Sequence, residues 1–412
     1  MGEISDLKKT QKLEFPKGFL WGAATSAHQV EGNNTHSDWW NWEQKGGGTQ
    51  PSSLACDHYH RFEEDFELAK SLGHNAHRLS IEWARIEPEE GQWDEKEIEH
   101  YQKVLKSLKG KDMQTFVSLF HVTLPFWFAQ KGGFEKKQNI KYFKRFALVV
   151  VSRLNDKVDF WVTVNEPQAV PLAAYAVALW PPQKRDKLLA LKVYLNLALA
   201  HRQVYKALKN EFPAAKIGAV VNMPALRFYG GEPLKEFVPS VVKKFVNRSF
   251  LKLTRGCHDF LGVNYYFFHE IKFKDLTLDT NDLDSEAIEK VMLLERSDLG
   301  WPIYPPGIYE VVMDLKKYKL PIYITENGVA DAEDKHRERF IINHLQWLHQ
   351  AIREGADVRG YLHWSLMDNF EWAFGFKPRF GLVEVDFKTQ ERKVRKSALT
   401  YAKICRENAL MI

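Results

Sequence analysis

Short apolar runs rich in β-branched and aromatic residues recur from one end of the chain to the other, at 18–26, 75–81, 115–121, 158–165, 217–222, 260–266, 321–325 and 358–366. Several are continuously apolar rather than alternating, the pattern of parallel strands buried on both faces. Between the runs the period changes. Over 57–72, Tyr59, Phe62, Phe66 and the pair Leu68 and Ala69 recur near the spacing of one helix face, and 337–353 reads the same way. Eight strands alternating with helices predict a (β/α)8 barrel, an α/β fold in one domain across 1–412 with insertions in its loops. A doubly wound sheet shares the alternation, but no Gly-x-Gly-x-x-Gly turn follows the first run, and the glycines at 46–48 read as a loop rather than a phosphate cradle.

The longest uncharged stretch, 167–183, contains Pro171, Pro181 and Pro182 and reads as a buried loop and helix start rather than a membrane span. Composition agrees with a globular chain: 412 residues, 45% apolar and 27% charged, exclude disorder. The net charge of +5 is spread without a one-signed block. Its densest basic stretch, 136–145, is interleaved with Tyr142 and Phe143 as on the solvated face of a helix, so no nucleic-acid or membrane partner is expected. Cys56, Cys257 and Cys405 are too few and too widely spaced for a disulfide framework or a zinc site and read as reduced, buried thiols. The first sixteen residues lack the pattern of a secretory signal, which makes the cytoplasm the expected compartment. No pattern in the chain sets an oligomeric state.

In such a barrel the reacting groups come from the C-terminal ends of the strands. Gln29 and Glu31 follow the first run, Arg78 lies in the second, His121 ends the third, and Asn165 and Glu166 end the fourth. Asn264 and Tyr266 end the sixth, Glu326 the seventh and Trp364 the eighth. A single Glu after a strand is more often a cap or an ion-pair residue. Two that converge on one mouth beside Asn165 fit acetal hydrolysis, in which one carboxyl protonates the leaving oxygen and the other attacks or supports the oxocarbenium-like centre. Arg78 is placed to hold one carboxylate ionised, and the other could then keep its proton near neutral pH. Trp39, Trp40, Trp42, Trp301, Trp364 and Trp372 fall in or near the loops of the same face, where indole rings stack on the C–H faces of pyranoses.

Seven segments in order resemble glycoside hydrolase family 1, the retaining β-glycosidases. They are FPKGFLWGAATSAHQVEG from Phe15, CDHYHRFEEDFELAKSLGHNAHRLSIEWARI from Cys56, TVNEP from Thr163, DFLGVNYY from Asp259, GWPIYPPG from Gly300, ITENG from Ile324 and HWSLMDNFEWAFG from His363. The resemblance implies Glu166 as general acid/base and Glu326 as nucleophile, with a small-molecule β-glycoside as substrate and neither metal nor organic cofactor. It implies glycone hydrogen bonds from Gln29, His121, Asn165 and Glu371, a stacking floor at Trp364 with Trp372 beside it, and Trp301 on the aglycone side. Arg78 and Tyr266 would contact the nucleophile, with Asn264 close by.

Three departures change the expectation. Where the family usually has His-Trp-Asp-Leu-Pro, this chain has His121-Val122-Thr123-Leu124-Pro125, which points to altered glycone binding with intact chemistry. The family's Gly-Tyr after TVNEP becomes Ala174-Tyr175-Ala176, and the chain is short between the fifth and sixth runs, both suggesting a more open aglycone region. A 6-phosphoglycosidase would need cations after the eighth strand, where Glu371 and Trp372 stand, although Lys377 and Arg379 follow. A sugar-binding barrel without turnover would be betrayed by loss of a carboxylate or of Arg78, and all three are present. Glucoside, galactoside, fucoside and mannoside differ by single hydroxyls met by the same Gln29, His121 and Glu371, so the preferred glycone stays open.

Overall fold

A computed structural model describes residues 11–229, 248–272 and 294–412. Eight strands close into a parallel barrel in chain order: β1 (Leu20–Ala24), β2 (Ala76–Ser80), β3 (Gln114–Ser118), β4 (Phe160–Asn165), β5 (Ile217–Asn222), β6 (Phe260–Asn264), β7 (Ile322–Asn327) and β8 (Val358–Trp364). Each expected run overlaps one strand. β8 pairs back with β1, Gly360 opposite Leu20 and Trp364 opposite Ala24, so the sheet has no edge.

Helices follow the strands as the changing period requires: α1 (His58–Ser71), α2 (Glu95–Gly110), α3 (Ile140–Leu154), α4 (Lys187–Glu211), α5 (Pro306–Leu315), α6 (Arg337–Arg353) and α7 (Lys396–Glu407). Their apolar stripes face the barrel; in α3 Phe143, Phe146, Ala147, Val150 and Val151 are buried, while the basic residues before and within it leave Tyr142 half-buried. Asp94 and Asp186 start α2 and α4 by accepting backbone N–H groups of the first turn. Outside the barrel, Lys12–Glu14 pairs antiparallel with Ala409–Met411. Within the run at 260–266 β6 stops at Asn264, and beyond the run Phe268–Lys272 forms a separate parallel pair with Ala225–Tyr229. In the uncharged stretch, Pro171–Ala176 forms a π-helical turn. Residues 230–247 of the short connection between β5 and β6 lie outside the described residues, and with them the expected opening of the aglycone region on that side.

The barrel interior is filled by large side chains. Phe116, Phe160, Phe260 and Tyr323 form one buried cluster with Val162, Val220 and Leu362, and the Phe116 and Phe160 rings stack at 4.2 Å. This layer is a solid floor, so polar groups at the strand ends above it face a closed-bottomed pocket. The glycine of Ile-Thr-Glu-Asn-Gly has a packing reason: a Cβ on Gly328 would stand 1.8 Å from the Trp364 carbonyl oxygen, where β7 and β8 leave the barrel side by side. All three cysteines are buried and free. Among the described residues, no helix is long and apolar enough to cross a membrane.

Candidate active site

Successive strand residues point to opposite faces, and β7 uses this to separate Glu326 from Asn327. Asn327 faces the barrel wall, donating to the Tyr265 carbonyl at 2.6 Å and accepting from the Tyr361 hydroxyl at 2.8 Å. Glu326 faces the mouth. The same alternation would send Glu166 away from Asn165, but at Glu166 the backbone turns left-handed, with φ of 46°. That turn, which costs a non-glycine residue about 1–2 kcal/mol, brings both side chains to one place. The Asn264 amide donates to Glu166 at 2.7 Å and to Asn165 at 3.3 Å.

Arg78, entirely buried in β2, links Glu326 to Asn165. Its guanidinium pairs with Glu326, donates to Asn165 Oδ1 at 2.6 Å and meets Ser118 Oγ at 3.3 Å. The Tyr266 hydroxyl donates to the other Glu326 oxygen at 2.5 Å. Both oxygens of Glu326 therefore accept from fixed donors, which orients the group and disperses its charge. Asn264 is held in turn by Thr325, whose hydroxyl donates to its Oδ1 at 2.8 Å.

Three carboxyl groups share this pocket with that guanidinium, and their protons are distributed accordingly. Burial, and then the neighbouring charge of Glu326, raise the Glu166 carboxyl from 4.5 to about 7, against hydrogen bonds from Asn264 and Asn222. Glu371, in the loop after β8, is pushed up to about 8 by burial and by both other carboxylates, against hydrogen bonds from Trp364 and Gln29. Burial, with Arg78 adding to it, drives the His121 imidazole well below its ordinary value and keeps it neutral. Burial and Glu326 hold the Tyr266 phenol well above its own.

The other expected residues converge on the same mouth. Gln29 Nε2 donates to Asn369 Oδ1 at 3.0 Å, the Phe370 carbonyl at 2.9 Å and Glu371 at 3.3 Å. His121 Nε2 lies 3.3 Å from the Asn165 amide, and its ring is nearly parallel to those of Trp364 and Trp372 at 6.1 and 6.2 Å. Trp301, partly buried, packs against Tyr266 and Phe380. Trp39 meets Trp372 at 4.8 Å and Trp42 at 5.1 Å, forming an aromatic wall.

Glu31 is the exception. It turns away to pair with Arg85 at 2.9 Å and to accept from Tyr101, as an ordinary buried ion pair. Sequence reasoning missed Asn222, Ser118 and Asn369. Asn222 ends β5, so strand position alone could have flagged it, whereas Ser118 and Asn369 act through Arg78 and Gln29 and carry no pattern of their own. Among the described residues, no group of three or more His, Cys, Asp or Glu side chains is arranged to hold a metal ion.

Comparison with known proteins agrees with this geometry. A sequence profile of glycosyl hydrolase family 1 matches residues 11–251 and 229–410. Beta-glucosidase A of Thermotoga maritima is 32% identical, the alignment covering 96% of this chain and 99% of that protein. A beta-glycosidase structure from Pyrococcus horikoshii superposes with a TM-score of 0.89 at 38% identity, covering 97% of this chain and 96% of that one. A beta-glucosidase from Thermotoga maritima in complex with glucoimidazole superposes with a TM-score of 0.88 at 30% identity, over 96% and 99% of the two chains. With a family match over almost its whole length and an eight-stranded barrel whose strand ends carry the paired carboxyls, the chain belongs to glycosyl hydrolase family 1.

Proposed function

We propose that the chain, acting as one catalytic unit, is a retaining β-glycosidase that removes terminal non-reducing β-D-glycosyl units, a β-glucoside foremost and β-galactosides and β-fucosides besides, with Glu326 as nucleophile and Glu166 as general acid/base. The observation that carries the assignment is the contrast between the two groups. Glu326 has both oxygens engaged by Arg78 and Tyr266, while the Glu166 carboxyl, raised to about 7, keeps its proton on a substantial fraction of molecules at neutral pH.

In the first step a Glu326 oxygen bonds to the anomeric carbon as the glycosidic C–O bond breaks and Glu166 passes its proton to the leaving oxygen. In the second, Glu166 takes a proton from water, whose oxygen displaces Glu326, and the sugar leaves with its original configuration. We assign Gln29, His121, Asn165 and Glu371 to hydrogen bonds with the glycone, and Trp364 and Trp372 to the aromatic walls that suit a pyranose. We assign Trp301 to the aglycone side and the protein to the cytoplasm, its three buried free thiols fitting a reducing compartment.

The 6-phosphoglycoside alternative lacks a cation in the right place: Arg379 is spent on Asp368 and on the Val385 carbonyl, and Lys377 is exposed. The test is nitrophenol release from a panel of aryl β-glycosides by wild type, Glu326→Gln and Glu166→Gln, with product anomers followed by NMR. Turnover with retained configuration, abolished in Glu326→Gln, is the expected result. Inverted product, or a Glu326→Gln variant as active as wild type, would overturn the assignment.

A further inference from the structure

The uncharged stretch at 167–183 supplies no reacting group to the double displacement, and its pattern predicts a buried loop and helix start. In the structure Pro171, Ala174 and Tyr175 are buried, but Leu172, Val177 and Leu179 are 52%, 53% and 42% exposed. The helix that follows continues this apolar face. α4 buries Ala190, Val193, Leu197, Ala200 and Val204 on its inner side. Its outer side carries Leu188, Leu191 and Leu195, spaced three and four apart and so on one face, at 81%, 46% and 44% exposure. Backbone bonds hold loop and helix together: the Lys184 N–H donates to the Ala174 carbonyl at 2.9 Å, and the Asp186 N–H to the Tyr175 carbonyl at 2.7 Å. A single exposed leucine is ordinary, whereas large aliphatic side chains clustered on adjoining segments mark an interaction surface.

The charge around this face has one sign. From 167 to 206 the only acidic residue is Asp186, and its Oδ1 is occupied at the start of α4 by the N–H groups of Leu188 and Leu189, each at 2.9 Å. Against it stand Lys184, Arg185, Lys187 and Lys192, all exposed, and Arg202 and Lys206, where the outer side of α4 turns polar. Lys184 pairs at 2.6 Å with Glu135, whose neighbours Lys136 and Lys137 are exposed too. The expectation of no membrane partner takes the charge over the whole chain, where it is evenly spread; on this face it is gathered.

Exposed leucines flanked by Lys and Arg are the pattern of a helix that lies along a bilayer, its apolar side chains among the acyl chains and its cations at the phosphates. A second copy of the chain is the poorer occupant, because packing two such faces together would oppose their basic rims. We infer that this face, formed by the turn at 171–180 and the start of α4, docks the enzyme on the surface of a membrane that carries anionic lipids. The cytoplasmic leaflet supplies such lipids, so docking agrees with a cytoplasmic enzyme. The inference is independent of the glycosidase reading, since it uses none of the groups at the mouth.

The experiment is cosedimentation of the full chain with vesicles of phosphatidylcholine and phosphatidylglycerol, beside vesicles of phosphatidylcholine alone, at low and high salt. The protein should pellet with the anionic vesicles at low salt, less so at high salt, and stay in solution with the neutral ones. Lys187→Gln combined with Lys192→Gln should weaken the partition constant about twenty-fivefold, at about fivefold per cation, and Leu188→Ser about tenfold. These side chains are exposed, so the variants should unfold at the temperature of wild type. Wild type left in the supernatant with anionic vesicles would overturn the inference, as would equal pelleting with neutral vesicles or binding unchanged in both variants. A dimer that is lost in Leu188→Ser, with no vesicle binding, would overturn it as well and assign the face to a second copy.

Discussion

Replacing Glu326 by Gln should do more than stop turnover: it should move the proton on Glu166. The Glu166 carboxyl sits at about 7 against an ordinary 4.5, and Glu326 is the second cause of that rise, after burial. At the ~5–5.5 Å separation that retention demands, two unit charges at an effective dielectric constant of ~20 interact by about 3 kcal/mol, equivalent to about two pKa units. Burial is the larger cause, so the full two units are an upper bound, and a fall of about one to two units is expected in Glu326→Gln. The variant also mimics the charge of the glycosyl-enzyme, in which Glu326 is an ester. The shift it shows is therefore the shift that turns Glu166 from acid into base between the two steps. Titrating the side-chain carboxyl of Glu166 by carbon-13 NMR in both proteins measures it directly. A Glu166 that titrates at the same pH in both, or higher in the variant, would refute the argument that the nucleophile's charge controls the acid.

The wild-type kcat/KM should fall as pH rises through about 7, since Glu166 must enter the first step protonated, and pH–rate profiles on an aryl β-glucoside check it. Asn222→Ala removes a hydrogen bond that favours the charged form of Glu166; with about 1 kcal/mol at stake, the basic limb should move up by about half a unit to one unit, and a downward move would contradict the geometry. Arg78→Met leaves Glu326 buried without its partner, so denaturant unfolding should register a loss of about 3–5 kcal/mol alongside the loss of activity. Glu166→Gln should stabilise the fold increasingly with pH. A carboxyl raised from 4.5 to about 7 binds its proton more tightly folded than unfolded, so wild type loses stability as pH rises through that window and the amide does not. The gap in unfolding free energy should widen by about 2 kcal/mol between pH 5 and pH 8, and a constant gap would count against the raised pKa.

The barrel was readable in the sequence because its strands are buried on both faces, so that several appear as continuously apolar runs, with polar residues at or near most of their C-terminal ends. Phe116, Phe160 and Phe260 supply the floor; Asn165 and Asn264 follow two of them along their strands, and His121 stands just beyond the end of the third. Glu31 shows where that reading stops. It stands two residues after Gln29, beyond a strand end like the others, yet its side chain meets Arg85 and Tyr101 because the short helical turn Ala27–Val30 rotates it off the mouth. A positive φ at Glu166, which puts two consecutive side chains on one face, is likewise a property of the turn and not of the alternation.

Proton positions were legible only in part. Arg78 in one strand and a carboxylate at the end of another announce an ion pair. The protonation of Glu371, by contrast, depends on burial and on two other carboxylates that come from strands far apart in the chain. Three carboxyls on one mouth cannot all be charged beside one guanidinium, and which of them keep their protons is decided by which one the guanidinium touches. That contact selects Glu326 and thereby leaves Glu166, bound only to amides, as the group able to give a proton and take it back.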